Sequence, residues 1–178
     1  MKIIKLLEYL EKDIDLNKFL KTHQEYSQEE IKNIFTKLKE IYLNSLNNEY
    51  ELYIDGASRG NPGKAAAGFV IIKNGKELVR GGKFLGIKTN NEAEYFALLL
   101  GLKKCVELEI KKLKIFSDSQ LLVNQIKGVY KVKNDNLKRF YKEILKILNN
   151  FEFEIEHIPR EKNKIADNIA NQILDDAI

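Results

Sequence analysis

The chain has 178 residues, 44% of them hydrophobic and 31% charged, which suits one ordinary globular domain with a small appendage and argues against a disordered chain. No run approaches the roughly 18 to 20 apolar residues of a membrane span, and one cysteine with two histidines excludes an internal disulfide and a Cys/His zinc site. The net charge of +4 is unevenly spread, with −1 over residues 1–50 and +5 over residues 51–178, a mildly basic main region compatible with a polyanion.

Residues 1–48 read as helix only. Ile3, Leu6, Leu7 and Leu10 have amphipathic helical spacing. They are interrupted by Glu8, and Glu11, Lys12 and Asp13 follow, unlike a secretory signal, so the expected location is the cytoplasm. A second helix is predicted from Leu16 to about Thr22. Ser27 with Glu30 forms a capping box that opens a third, with Ile31, Ile34, Leu38 and Ile41 on one face. Asn44, Ser45, Asn47 and Asn48 then read as a polar linker.

From Glu51 the pattern becomes strand-like. ELYID (51–55) is a short alternating run, ASRGNPG (57–63) a turn cluster, and residues 65–87 a hairpin turning at Asn74-Gly75. Residues 90 to about 107 read as a helix with an asparagine as N-cap, and Cys105 inside its apolar run suits a buried small side chain. LKIFSD (113–118) is a short buried strand after a helix, which implies a parallel crossover. Helices at about 119–126 and 135–149, a strand FEFEIEHI (151–158) and a last helix from about Asn163 complete the chain. Three strands, a helix, a strand, two helices, a strand and a helix predict an α/β fold, with a mixed sheet and helices on its faces.

Four carboxylates stand out. Asp55 interrupts a strand on the same face as Tyr53, where aspartate is disfavoured, although a strand-end turn also takes it. Asp118 ends a parallel strand, where open α/β sheets bind ligands, although Asp118 or Ser119 also suits a helix cap. Glu94 and Asp167 lie in the first turns of helices, where the macrodipole favours an acid. Gathered at one sheet edge, such acids would repel unless a hard divalent cation joined them. Oxygen donors without His or Cys favour Mg²⁺ or Mn²⁺, and two ions roughly 3.5 to 4 Å apart serve phosphodiester hydrolysis.

The block YIDGASRGNPGKAAAGFVI (53–71), followed in order by TNNEAEYFALLLGL (89–102), IFSDSQLLVNQI (115–126) and IEHIPREKNKIADNIAN (155–171), resembles the type 1 ribonuclease H family. The resemblance covers about residues 51 to 175 and implies a five-stranded mixed sheet in the order 3-2-1-4-5 with helices on both faces. It divides the chain into a small all-helical segment, 1–48, and a catalytic domain, 49–178. The implied activity is internal hydrolysis of the RNA strand of RNA–DNA hybrids with two Mg²⁺ ions per site, Mn²⁺ being a substitute, leaving 5′-phosphate and 3′-hydroxyl ends. Asp55, Glu94, Asp118 and Asp167 match the family's metal-binding acids: Asp55 would bridge both ions, Glu94 and Asp118 would complete the site of the nucleophilic water, and Asp167 would hold the other ion. His157 matches a histidine that assists proton transfer or product release, and HIPREKN resembles a branch in which the loop arginine, here Arg160, is itself a catalytic candidate.

Substrate contacts implied by the resemblance are Asn61, Asn91 and Gln120 at the sugar and base edges, and Thr89 and Asn90 at a DNA-strand phosphate. Gly56, Ser58 and Gly60 are expected to leave room for close backbone approach to the RNA strand. Some members carry a basic protrusion rich in Lys and Trp after the helix that follows the third acid. Here the equivalent KGVYKVKNDN (127–136) is short and the chain has no Trp; Lys131 and Lys133, with Lys127 and Tyr130, read either as a reduced basic strip for DNA-strand phosphates or as a solvated loop. Residues 1–48 are expected to dock a protein, position the substrate or cap the main domain. The chain is expected to act as a monomer away from membranes. The competing expectations are an inactive hybrid-binding module and an exonuclease of another branch of the superfamily.

Overall fold

The computed structural model describes residues 15–46 and 49–177. The helix expected over Ile3 to Leu10, and the linker residues Asn47 and Asn48, lie outside the described residues. The chain divides into two compact units, Met1–Asn48 and Glu49–Ile178.

In the first unit, helix α1 (Leu16–Thr22) starts at Asp15, whose carboxylate accepts from the Lys18 N–H at 3.0 Å. Helix α2 (Gln28–Leu46) opens with the expected capping box: the Ser27 N–H donates to Glu30 Oε2 at 2.8 Å, and the Glu30 N–H to Ser27 Oγ at 3.1 Å. Phe19, Tyr26 and Ile31 form a small buried core against which Leu20 and Ile34 pack. Asn44 and Ser45 belong to α2 rather than to a linker, since a few tenths of a kcal/mol of helix propensity is a weak stop signal.

The second unit is built on strands β1 (Tyr50–Gly60), β2 (Gly63–Lys73), β3 (Lys76–Lys88), β4 (Lys112–Ser117) and β5 (Glu152–His157). They form one sheet in the order β3-β2-β1-β4-β5, antiparallel on the β3 side and parallel from β1 to β5. The β2–β3 hairpin turns at Asn74-Gly75, both at positive φ, the conformation that Asn-Gly favours. β1 outruns the strand read from ELYID, because Ala57 and Ser58 pair with Ala66 and Ala65. Ser58 Oγ also donates to the Lys88 carbonyl at 3.0 Å, and only Asn61 and Pro62 remain in the turn.

Helices α3 (Asn90–Glu107), α4 (Gln120–Ile126), α5 (Asp135–Leu148) and α6 (Lys164–Asp176) complete the unit. Alternation along β1 and β2 sends neighbouring residues to opposite faces. On one face, Leu52, Ile54, Phe69, Ile71, Leu113 and Ile115 pack with Leu98 and Leu102 of α3 and Ile144 and Leu148 of α5. Each such buried side chain contributes about 1.5–3 kcal/mol, so this face carries most of the apolar stabilisation. On the other face the strands present small residues to α6. A Cβ on Gly68 would lie 2.8 Å from both Ala166 O and Ala170 N, so α6 rests on the sheet backbone itself.

Candidate active site

The β1–β4 parallel register ends with Ile54 opposite Ser117. The next residue on each strand is an acid, so Asp55 and Asp118 emerge side by side at the carboxyl end of β4. Glu94 comes from the start of α3, and Gly56 is what lets it come so close. A Cβ on Gly56 would intrude into the Glu94 backbone, 2.7 Å from its Cα, and the Gly56 N–H instead hydrogen-bonds the Glu94 carboxylate. Each of Asp55, Glu94 and Asp118 offers one oxygen, and these oxygens all lie within 4.8 Å of one another.

The alternative uses of these acids are taken by their neighbours. Ser119 caps α4 by accepting from the Leu122 N–H at 3.4 Å, so the Asp118 side chain is not the cap of that helix. Thr89, not an asparagine, caps α3 in a capping box with Glu92; a β-region residue three before a glutamate satisfies two orphan N–H groups at once. Glu92 rather than Glu94 is therefore the terminal acid of that helix.

Burial first, then the Asp118 and Asp167 carboxylates, push Asp55 up to about 7, against an opposing pull from Arg160. Glu94 is held well above the usual carboxylate range, mainly by burial and then by Asp55 and Asp118. Among the described residues, Glu94 Oε2 is one of two buried side-chain atoms with no hydrogen-bond partner. Desolvated, mutually repelling carboxylates with an orphaned oxygen suit a divalent cation and oppose the bare ionised state.

Asp167 stands outside the cluster of three. Its Oδ1 accepts from Arg160 at 2.6 Å (Nη2) and 3.2 Å (Nε). The Arg160 side chain is 73% exposed, so this pair contributes little to stability. Arg160 nevertheless lines the same open cleft, of about 340 Å³, as Asp55, Glu94 and Asp118. His157, at the end of β5, sets Nε2 3.1 Å from the Asp118 carbonyl oxygen. A carbonyl only accepts, so Nε2 carries the proton, and in the neutral ring Nδ1 is left as an acceptor.

Of the expected substrate contacts, Gly56, Ser58 and Asn90 line the cleft. Asn61 holds the Asn90 N–H through its Oδ1 at 3.2 Å. Gly60 sits beside the β1–β2 turn at φ +95°, and Thr89 is occupied as a cap. Asn91, Gln120, Lys131 and Lys133 are exposed and lie outside the cleft lining. Two further residues belong to this region: Asn171, whose Nδ2 donates to the Asp167 carbonyl at 3.0 Å, and the buried Asn163, which donates to Asp118. Asn163 carries no sequence signal beyond its place before a helix, where asparagine reads as an ordinary cap.

A family model described as "Reverse transcriptase-like" matches residues 53–173. Ribonuclease HI of Halobacterium salinarum is 39% identical over 127 residues, 70% of this chain and 64% of that protein, so the chain spans just under two thirds of this curated relative. The crystal structure of RNase H1 from the same archaeon superposes with a TM-score of 0.70 at 38% identity, covering 72% of this chain and 98% of that one. LC11-RNase H1, crystallised in complex with an RNA/DNA hybrid, gives a TM-score of 0.69 at 36% identity, covering 72% of this chain and 99% of that one.

Proposed function

The chain belongs to the type 1 ribonuclease H family, and on that premise we propose that it cuts the RNA strand of RNA–DNA hybrids internally. The observation that carries this reading is the convergence of Asp55, Glu94 and Asp118 in an open cleft, with Glu94 Oε2 unpartnered. Water attacks the phosphorus, the bond to the 3′ oxygen breaks, and the products are a 5′-phosphate and a 3′-hydroxyl.

An all-oxygen donor set favours Mg²⁺, with Mn²⁺ as a substitute. Asp55, Glu94 and Asp118 would hold one ion, and Asp55 with Asp167 a second. Bound divalent ions of this kind acidify a water and neutralise charge on the phosphate oxygens. Arg160 in the cleft wall supports a phosphate contact, made when its guanidinium exchanges Asp167 for substrate. His157, held by Nε2 to Asp118, keeps Nδ1 free to take or give a proton at the departing strand. Ser58 and Asn90 in the cleft, with Asn61, Thr89, Asn91 and Gln120 outside its lining, would read the hybrid's sugars and phosphates. Exposed Lys131 and Lys133 would meet DNA-strand phosphates.

An RNA strand labelled at its 5′ end and annealed to DNA tests the reading with wild type and Asp118→Asn. Internal cuts that need Mg²⁺ or Mn²⁺, vanish in the variant and spare single-stranded RNA are expected. Stepwise release from one end would replace it with an exonuclease, and binding without any cleavage with a hybrid-binding module.

For residues 1–48 the proposal is substrate positioning or protein docking, the alternative being a stabilising cap. Hybrid affinity of residues 1–178 is expected to exceed that of residues 49–178. Equal affinities with equal salt dependence would leave only the docking and cap roles.

A further inference from the structure

The buried residue Asn163 makes an unusual set of contacts. It is 1% exposed and stands at the N-cap position of α6, yet its side chain makes no capping hydrogen bond. The amide is turned inward instead. Its Nδ2 donates to the Ile54 carbonyl at 2.8 Å and to Asp118 Oδ1 at 3.0 Å, so both amide hydrogens are used. Ile54 immediately precedes Asp55. One nitrogen thus joins the main chain under one acid of the cluster to the carboxylate of another.

The main chain of Asn163 serves the other half of the site. Its N–H donates to the Arg160 carbonyl at 2.9 Å, and its carbonyl accepts from the Asp167 N–H at 3.1 Å. This single residue therefore ties Asp118, β1, Arg160 and Asp167 together. The arrangement is locally unfavourable: the cap is forgone, and Asn163 Oδ1 is buried with no partner. Local choices that cost stability are expected where function sets the requirement.

We propose that Asn163 is a positioning residue of the active site, whose amide fixes the Asp118 carboxylate relative to the β1 main chain that carries Asp55. Holding Oδ1 leaves the other Asp118 oxygen for the cation and reduces the carboxylate's freedom to rotate. No charged donor does this without competing for the carboxylate as Arg160 does with Asp167, and aspartate has the shape but lacks the two hydrogens. The inference rests on the reading of Asp55, Glu94 and Asp118 as metal-holding acids.

The test is Mn²⁺ uptake by the full chain, with free Mn²⁺ read by electron paramagnetic resonance. Wild type, Asn163→Leu, Asn163→Ala and Asp118→Asn are compared, together with each Asn163 variant combined with Asp118→Asn. Leucine keeps the forked shape but is bulkier, and alanine is smaller, so an effect shared by both variants reports loss of the donor rather than a change in volume. Folding is checked by circular dichroism. Loss of the donor is expected to weaken Mn²⁺ binding by roughly 10- to 100-fold, the usual effect of removing a ligand's supporting hydrogen bond. In the Asp118→Asn background the same change is expected to add nothing, because its effect runs through Asp118.

Unchanged Mn²⁺ affinity in the folded variants, or losses that simply add to that of Asp118→Asn, would overturn the positioning role and leave the nuclease reading standing. Absence of Mn²⁺ uptake by wild type would overturn both. If neither variant folds, the Asn163 side-chain amide resonances of wild type decide. They are expected to shift along the Mg²⁺ binding isotherm, and resonances that stay still while Mg²⁺ binds would overturn the role.

Discussion

Asp55→Asn is expected to lower hybrid cleavage by roughly 10³-fold and, in the metal-free protein near pH 8, to raise the melting temperature. The first effect follows from the position of Asp55, next to Asp118 across the β1–β4 register and within reach of Glu94. Electrostatic stabilisation by a bound cation is worth several kcal/mol in a phosphoryl-transfer transition state, and roughly 4 kcal/mol is a factor of about 10³. The second effect has the opposite sign because burial and the neighbouring acids hold Asp55 at about 7 against an ordinary 3.8. A carboxyl raised on folding contributes stability that is complete below the unfolded value and lost as pH climbs through the folded one. Going from 3.8 to about 7 corresponds to about 4 kcal/mol at most, lost between about pH 4 and pH 8. Asparagine does not titrate and escapes that loss. Mg²⁺ reverses the ranking, since a ligand stabilises the form that binds it and the variant binds it poorly. Melting curves near pH 5 and pH 8, in chelator and then in Mg²⁺, read all of this. A wild-type midpoint that does not fall from pH 5 to pH 8 in chelator would show that the carboxylates are not in conflict.

That conflict was partly readable in the sequence. Asp55 announces itself at a strand position where aspartate is disfavoured, and Asp118 at the carboxyl end of a strand read as parallel, while the adjacency of their two strands came only from the sheet order that the family resemblance implies. The Asn74-Gly75 turn and the run of small and β-branched residues before it made the antiparallel side equally plain. The far end of β1 was hidden, because Ser58, Arg59 and Gly60 are turn-type residues whose extension depends on pairing with a distant segment. Thr89 as the cap of α3 was hidden behind two better-ranked asparagines, although its spacing from Glu92 is that of a capping box. The contacts of Asn163 were beyond reach for a different reason. They join residues 109 and 45 positions apart, and nothing local distinguishes an asparagine that caps a helix from one that turns away from it. The Arg160–Asp167 pair is nearer in sequence, seven residues apart, but depends on the 3₁₀ turn Arg160–Lys162 to bring the guanidinium back.

Gly56 had a ready explanation in the sequence, room for a nucleic-acid backbone, and Gly56→Ala separates that explanation from the one the fold supplies. If the glycine serves only the substrate, the alanine protein keeps its melting temperature and Mn²⁺ affinity and shows a raised KM for hybrid. The geometry leads to a different expectation. The new methyl group would meet Glu94 N and Cα and Ala93 C, all main-chain atoms of α3, which cannot rotate away. Either α3 moves off the sheet or β1 bends. Moving α3 disturbs its packing on Leu52 and Ile54 in the main core. Overpacking of this kind costs about 3 kcal/mol or more, at the upper end for one added methyl because backbone, not side chain, must shift. For a unit of this size that corresponds to a fall of about 10 °C in melting temperature. The same displacement carries Glu94 away from Asp55 and Asp118 and breaks the Gly56 N–H contact to its carboxylate. Mn²⁺ affinity is therefore expected to fall together with stability, before any hybrid is added. Gly75→Ala makes the control, since its Cβ would meet nothing within 4 Å and only its positive φ opposes a side chain. A Gly56→Ala protein as stable as that control and with wild-type Mn²⁺ affinity would return Gly56 to the substrate. A large joint loss would make it the spacer that sets how closely α3 brings its carboxylate to the two on the sheet.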